Sequence, residues 1–304
     1  MPIALGQIKD LLQPGLMAIT GKYEQMPSFY NKLYTKKKST MAVERSAAVA
    51  YVGLAQLKTE GGATMYDNNA GQRFIYNMEV KEFGLGYVIT RKAIDDNLYK
   101  TSFSPTQLGL NDAFHQAKER EAASLFNNAF TAISGIGGDG KALCATDHPY
   151  DGGTWANRPT TDYDLNEGSL LSAQVAIRSN FVNERGLKIY ARAKLLVVPN
   201  ALQPVAIRLL KSELRPGTAN NDVNAILHMD EEGLSKMTVY DYLTSSRSWF
   251  LKTNIDGLIH LERVAYETDM QPDFDTDSLK VKGYERYGFF YNDPRALYGS
   301  NPTS

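Results

Sequence analysis

The sequence contains a single cysteine, Cys144, in 304 residues. A lone thiol excludes an internal disulfide framework and any zinc or iron-sulfur site built from several cysteines, and it suits a reducing cytoplasm. An excess of charge of one sign is also missing: 33 Lys and Arg stand against 34 Asp and Glu, for a formal net charge of -1. That balance excludes the global basic field of a dedicated nucleic-acid binder, so any contact with DNA has to be local. Long apolar runs are absent too. No stretch approaches the ~20 residues that a membrane-spanning helix needs. The first residues carry Lys9 and Asp10 inside their apolar pattern, unlike the core of a signal peptide. A soluble protein without a membrane partner is expected. There is no internal repeat and no low-complexity tract.

What is present is enough for a folded core, since 43% of the residues are hydrophobic. Up to Glu60 the chain has eight basic and four acidic residues, a surplus of +4 that leaves the remainder at -5. This stretch mixes a short amphipathic piece (Ile8, Leu11, Leu12) with aromatic residues separated by polar ones (Phe29, Tyr30, Tyr34) and has no regular period. It reads as an extended arm that needs something to lie on. Over residues 53–90, the turn signals Gly61-Gly62 and Asp67-Asn68-Asn69-Ala70-Gly71 alternate with strand-like runs such as Phe74 to Val80. The pattern predicts a long β-hairpin with a polar, glycine-rich tip that projects and is ordered by a partner.

Ser104-Pro105-Thr106-Gln107 combines an N-cap serine, a proline at the first helical position and a glutamine three residues after the cap, which predicts the start of a long helix. Phe114, Ala117, Leu125, Ala129 and Ile133 fall on one stripe with Phe126 and Phe130 beside it. Lys118, Glu119 and Arg120 are read as facing away, and Gly135 as the stop. Asp164-Leu165-Asn166-Glu167 resembles a second capping box, for a helix reaching about Phe181. Lys194 to Val198 reads as a buried strand ending at Pro199, after which Asn200 can cap a short helix. Residues 215–224 read as loop. Alternating segments near 237–242, 248–252, 257–264 and 279–291 make the second half richer in strands.

Three patterns invite chemistry. Residues 135–141 have the G-x-x-x-x-G-K spacing of a phosphate-binding loop, but Ala142 removes the hydroxyl that should hold magnesium, and Pro149 blocks the long helix that should follow. Cys144 and His148 are four apart and suggest an activated thiolate, yet four-apart residues share a face only on a helix and Pro149 argues against one. Asp273, Asp275 and Asp277 resemble the opening of a calcium loop, in which Ser278 and Tyr284 occupy positions that should be Gly and Glu. A flexible turn, a lone thiol and an acidic surface turn are the better readings, with no catalytic, cofactor or metal residue expected. Lys36, Lys37 and Lys38 form a basic cluster that could contact nucleic acid without reading its sequence, and three lysines more often form a solvated patch.

Five stretches, taken in order, carry a resemblance: Tyr51-Val52-Gly53-Leu54-Ala55-Gln56-Leu57 leading into Glu60-Gly61-Gly62; Phe83 to Arg91 with Asp95-Asp96-Asn97-Leu98-Tyr99; Phe126-Asn127-Asn128-Ala129-Phe130; Lys194 to Lys211; and Gly283 to Tyr291 before Asp293-Pro294. Together the chain resembles the major capsid proteins of tailed bacteriophages with the Hong Kong 97-type fold, especially the Mu-like major head subunits. The resemblance spans nearly the whole chain, and its specificity lies in order and spacing. It implies an α+β fold with an N-terminal arm (residues 1–50), an extended E-loop hairpin (51–91), a peripheral domain with a long spine helix (92–138), an axial domain (139–262) and a return to the peripheral domain (263–304).

The implied function is self-assembly into pentamers and hexamers that tile an icosahedral shell around packaged double-stranded DNA, with a location in the virion. Implied partners are further copies of the chain, a separate scaffold or protease, a portal, a decoration protein, and DNA contacted non-specifically. The expected inter-subunit contacts are Phe29, Tyr30 and Tyr34 on the arm, and Glu60, Gly61, Gly62, Tyr66, Gly71, Arg73 and Phe74 on the hairpin. Two alternatives stay open: an encapsulin-like cellular shell, and more distantly a cysteine-dependent enzyme.

Overall fold

The computed structural model describes residues 23, 26–41, 43–50, 52–67, 71–95, 99–132, 137–212, 223–228, 234 and 236–302. In chain order the first strands are β1 (Thr35–Lys38), β2 (Val43–Ala50), β3 (Gly71–Glu79) and β4 (Lys81–Ile89), followed by helices α1 (Arg91–Asp95) and α2 (Tyr99–Asn127). Next come β5 (His148–Tyr150), β6 (Gly153–Trp155), α3 (Glu167–Asn180), β7 (Ala193–Val198), α4 (Gln203–Lys211) and α5 (Ala225–His228). The chain closes with β8 (Lys236–Val239), β9 (Trp249–Thr253), β10 (Leu258–Pro272), β11 (Leu279–Tyr291) and β12 (Leu297–Ser300).

Strict alternation along β11 buries Leu279, Val281, Gly283, Glu285 and Tyr287 on one face. β11 is the hub of a sheet ordered β1-β10-β11-β4, and α2 lies on it. Gly283 permits the close approach, since a Cβ there would meet the Phe114 ring at 2.6 Å. Beside it, a polar ladder is satisfied internally: Tyr266 donates to Asn111 at 2.8 Å, Gln107 to Asn111 at 3.2 Å and Tyr87 to Gln107 at 3.1 Å.

The second sheet has the order β12-β9-β7-β8. In β7, Leu196, Val197 and Val198 are fully buried because both faces are covered, the signature of a central strand. Val197 joins Phe250, Phe126 and Tyr287 in one core, while Leu196 and Val198 join Trp249, Leu251 and residues of α3 and α4 in the other. Between the sheets runs a buried crossover. Asn157, with no exposure, donates from its amide to the carbonyls of Leu143 (2.7 Å), Pro294 (2.9 Å) and Leu297 (2.9 Å). Arg295 pairs with Glu184 at 2.7 Å and lies 4.9 Å from the Trp155 ring centroid.

Several expectations change. The long helix begins at Tyr99, so Pro105 lies inside it and not at its first position. The proline ring suits helical φ and removes only one main-chain hydrogen bond, which a long helix tolerates near its start. Lys118 and Glu119 do not face solvent: they are 3% and 0% exposed, because strand β11 covers one side of α2 and residues 26–34 cover another. Ile133 and Gly135, the amphipathic piece at Ile8, Leu11 and Leu12, and most of the loop at 215–224 lie outside the described residues. The helix α3 cap is Asn166 paired with Ser169, not Asp164 with Glu167. Asn200 starts a 3-10 turn over Asn200–Leu202 instead of capping α4 with its side chain.

The hairpin boundaries also move. Its first strand is β2, inside the stretch read as arm, and β4 leaves the hairpin to pair with β11 in the main sheet. β2 holds three alanines and one serine, which give little strand signal. β10 enters the first sheet from Leu258, and β12 carries the chain's end back to the second sheet.

Candidate functional site

The β2–β3 ribbon shows a steep gradient of burial. At its root Tyr76, Met78 and Val80 are buried, whereas the segment beyond exposes Val52, Leu54 (77%), Leu57 (99%), Met65 and Tyr66 (83%). Fully burying each such side chain is worth roughly 1.5–3 kcal/mol, and a two-stranded ribbon is marginal on its own. The tip is therefore less polar than its glycines suggested, and its apolar groups are left uncovered within the subunit. Glu60, Gly61 and Gly62 occupy an exposed turn there, with Gly61 at φ 74. The ribbon's flank is tied to its own subunit: Gly53 N–H donates to Asp67 at 2.7 Å, Arg185 donates to Asp67 at 2.9 Å, and Arg73 donates to the Glu184 carbonyl at 3.0 Å. Gly71 is exposed, and Phe74 is half-buried against the core.

The three aromatic residues assigned to the arm take a different place. Tyr34 is buried and donates to the Ala122 carbonyl at 2.7 Å, and Phe29 N–H donates to Glu119 at 2.7 Å. Tyr30 packs edge-on against His260 and Phe289. What this stretch lies on is the spine helix and sheet of its own subunit, and Tyr34 is buried there. The reason is the size of the aromatic groups, which complete the core between α2 and β11.

Beneath them lies a buried charge cluster that the helical stripe did not reveal. Lys118 pairs with Glu285 at 2.6 Å and stands 4.7 Å from the Tyr287 ring centroid. Tyr23 donates to Glu285 at 3.3 Å, and Tyr240 donates to the Glu119 carbonyl at 2.9 Å. Burial raises the Glu285 carboxyl above the ordinary range and the Lys118 ammonium opposes that shift. Burial likewise raises Glu119, against the pull of its bond from Phe29 N–H. His260 is driven down to about 3 by burial, with Lys118 and Lys36 adding repulsion.

Lys36, Lys37 and Lys38 form β1, parallel to β10 at the edge of the first sheet, with Lys36 paired to Glu262 at 2.8 Å. Lysines on an edge strand discourage pairing with stray strands. The patterns that invited chemistry stay apart. Cys144 is fully buried and its thiol is pushed far above the ordinary range by burial. His148 is instead held by Asp139 at 2.6 Å and Asn157 at 3.1 Å and stacks on Trp155. Asp273 is paired with Lys280 at 2.9 Å and Asp277 with Arg91 at 3.1 Å. Lys141 of the glycine-rich stretch contacts Asp147. No group of His, Cys, Asp and Glu suited to a metal ion occurs among the described residues.

Comparison with protein families matches residues 76–300 to the family described as phage capsid protein. The chain belongs to the phage capsid protein family. No curated protein sequence matches. Solved capsids share the fold at low identity. The procapsid of bacteriophage JBD30 has 14% identity and a TM-score of 0.53, covering 99% of this chain and 77% of that one. The capsid of the native GTA particle has 14% identity and a TM-score of 0.55, covering 88% of each chain. A virus-like particle from Pyrococcus furiosus has 9% identity and a TM-score of 0.54, covering 94% of this chain and 97% of that one. In this capsid protein, the family match begins at Tyr76, at the buried root of the ribbon, and leaves the exposed tip outside it. The sequence reading missed Leu54, Leu57 and Met65 as contact candidates, although their apolar character was visible between the turn signals.

Proposed function

We propose that this capsid protein is the major head subunit of a tailed phage, assembling as pentamers and hexamers into an icosahedral shell around double-stranded DNA. The observation that carries this reading is the ribbon tip, where Val52, Leu54, Leu57, Met65 and Tyr66 lie exposed on a segment with no core of its own. In the proposed arrangement, residues 52–67 lie across an adjacent subunit and bury those side chains, with Glu60, Gly61 and Gly62 at the far turn. The ribbon of β2 and β3 then acts as the E-loop, α2 as the spine of the peripheral domain, and the sheet β12-β9-β7-β8 supplies the axial domain around which each capsomer closes. A scaffold or protease, a portal and a decoration protein complete the set of proposed partners, in a virion assembled in the host cytoplasm. Placement among Mu-like head subunits belongs to the same proposal. The cellular-shell alternative draws on likeness of fold alone, and the phage family match favours the viral reading.

Replacing residues 54–66 with a short glycine-serine link is the test. The variant should remain folded and soluble by circular dichroism, yet yield no shells in negative-stain electron microscopy where the unaltered chain, alone or with its scaffold, forms them. Normal particles from the shortened chain would refute the assignment of the tip.

A further inference from the structure

The first sheet has two edges of opposite character. On one, β1 is four residues long and carries Lys36, Lys37 and Lys38, charges that discourage pairing with a further strand. On the other, β4 runs for nine residues, with Lys81 and Glu82 at its start and the uncharged stretch Phe83-Gly84-Leu85-Gly86-Tyr87-Val88-Ile89 after them. Among the described residues β4 pairs only with β11, and Leu85 (52%) and Val88 (55%) lie exposed along it. A long, flat, uncharged edge is a template for one more strand. The same chain carries a segment that lacks a sheet. Residues 54–58 of the ribbon tip, in neither helix nor strand, are exposed throughout, and their main-chain groups have no hydrogen-bond partner among the described residues.

We infer that residues 54–58 of one copy add antiparallel to the free edge of β4 in a second copy, so that the sheet of each subunit gains a strand from its neighbour's ribbon. Side chains select the register. With Leu54 opposite Gly86, Ala55 falls opposite Leu85, Gln56 opposite Gly84, Leu57 opposite Phe83 and Lys58 opposite Glu82. The first three pairs set a larger side chain against a smaller one. Leu57 extends the stack that Phe83 makes on Tyr287, whose ring centroids are 4.4 Å apart. The last pair joins opposite charges that are both exposed in the single subunit. A slip of one residue sends every side chain to the other face, and a slip of two takes Lys58 off Glu82.

This inference rests on the shell role proposed above and names the seat of the ribbon tip, so its test is built to fail separately. Directly opposed residues share a face, with Cβ atoms about 4.5–5.5 Å apart, close enough for an engineered disulfide. The one native cysteine, Cys144, is buried and does not compete. In intact shells, assembled alone or with the scaffold and then mildly oxidised, A55C/L85C should give a ladder of disulfide-joined chains on a non-reducing gel. The control L54C/L85C, with its side chains on opposite faces in this register, should not.

Absence of a ladder from A55C/L85C, or equal ladders from both pairs, would overturn the inference. Dimers from L85C alone would do the same, because the edge would then be occupied by β4 of the partner. A second variant, L85D, places a charge on the exposed edge: it should keep a folded spectrum by circular dichroism and yield few or no shells, and a normal yield counts against the edge. If the unaltered chain forms shells that vanish when residues 54–66 are replaced, the shell role of the tip stands even where both edge experiments fail. Absence of shells from the unaltered chain removes both.

Discussion

At the scale of single residues, the largely apolar interior of this subunit encloses a few charged groups. The Lys118–Glu285 pair is almost wholly buried, and breaking such a pair from one side typically costs 3–5 kcal/mol, far more than an exposed pair contributes. His260 offers a sharper test. It stacks on Phe289 with ring centroids 4.6 Å apart, and neither ring nitrogen has a hydrogen-bond partner among the described residues. Its folded-state value near 3 lies well below that of a free imidazole, so the unfolded chain takes up a proton that the folded chain refuses. Stability from this group is present above about pH 6.5 and is lost as pH falls toward 3, by about 1.4 kcal/mol per pH unit within that window. Comparing urea unfolding of the unaltered chain and H260F between pH 6.5 and 5 should show a flatter profile for the variant. Parallel profiles would mean that His260 is not held neutral.

At the scale of elements, the spine helix separates two readings of one proline. If Pro105 opened the helix, its replacement by alanine would be neutral or harmful, since proline is favoured at that position. In a helix spanning Tyr99–Asn127 it instead removes an internal hydrogen bond, so P105A should raise stability by roughly 1–3 kcal/mol in chemical denaturation. A loss of stability would return the helix start to residue 105. The same helix shows where sequence reading succeeds and where it stops. Phe114, Leu125 and Phe126 were legible as core from their spacing, and all three are buried. Lys118 and Glu119 were not, because charge ordinarily marks a solvent face and their partners, Glu285 and Phe29 N–H, come from distant parts of the chain. β11 was legible because one buried face imposes a period of two up to Tyr287, beyond which the strand is buried on both faces and reads as an aromatic run. β2 was not, since its three alanines and one serine carry no such contrast.

At the scale of the whole molecule, the family was legible from the order of five stretches, while the packing of residues 26–34 onto their own subunit was not. That packing depends on the contact of aromatic side chains with α2 and β10, a long-range fit that local pattern does not encode. The joining of the two sheets is equally non-local. Replacing Asn157 with leucine would leave the carbonyls of Leu143, Pro294 and Leu297 without their donor. A loss on the order of 3 kcal/mol is expected from buried groups left unpaired. Fluorescence and far-ultraviolet circular dichroism should trace one coincident transition in the unaltered chain. In N157L, the transition should stay single and its midpoint should fall by the corresponding amount.

The crossover held by Asn157 and Arg295 also bears on how a wall built from such subunits would carry load. Because the interior joint is fastened by side chains with almost no access to water, the two halves of a subunit turn together, like one tile and not two hinged leaves. In a shell, curvature would then be taken up between subunits more than within one.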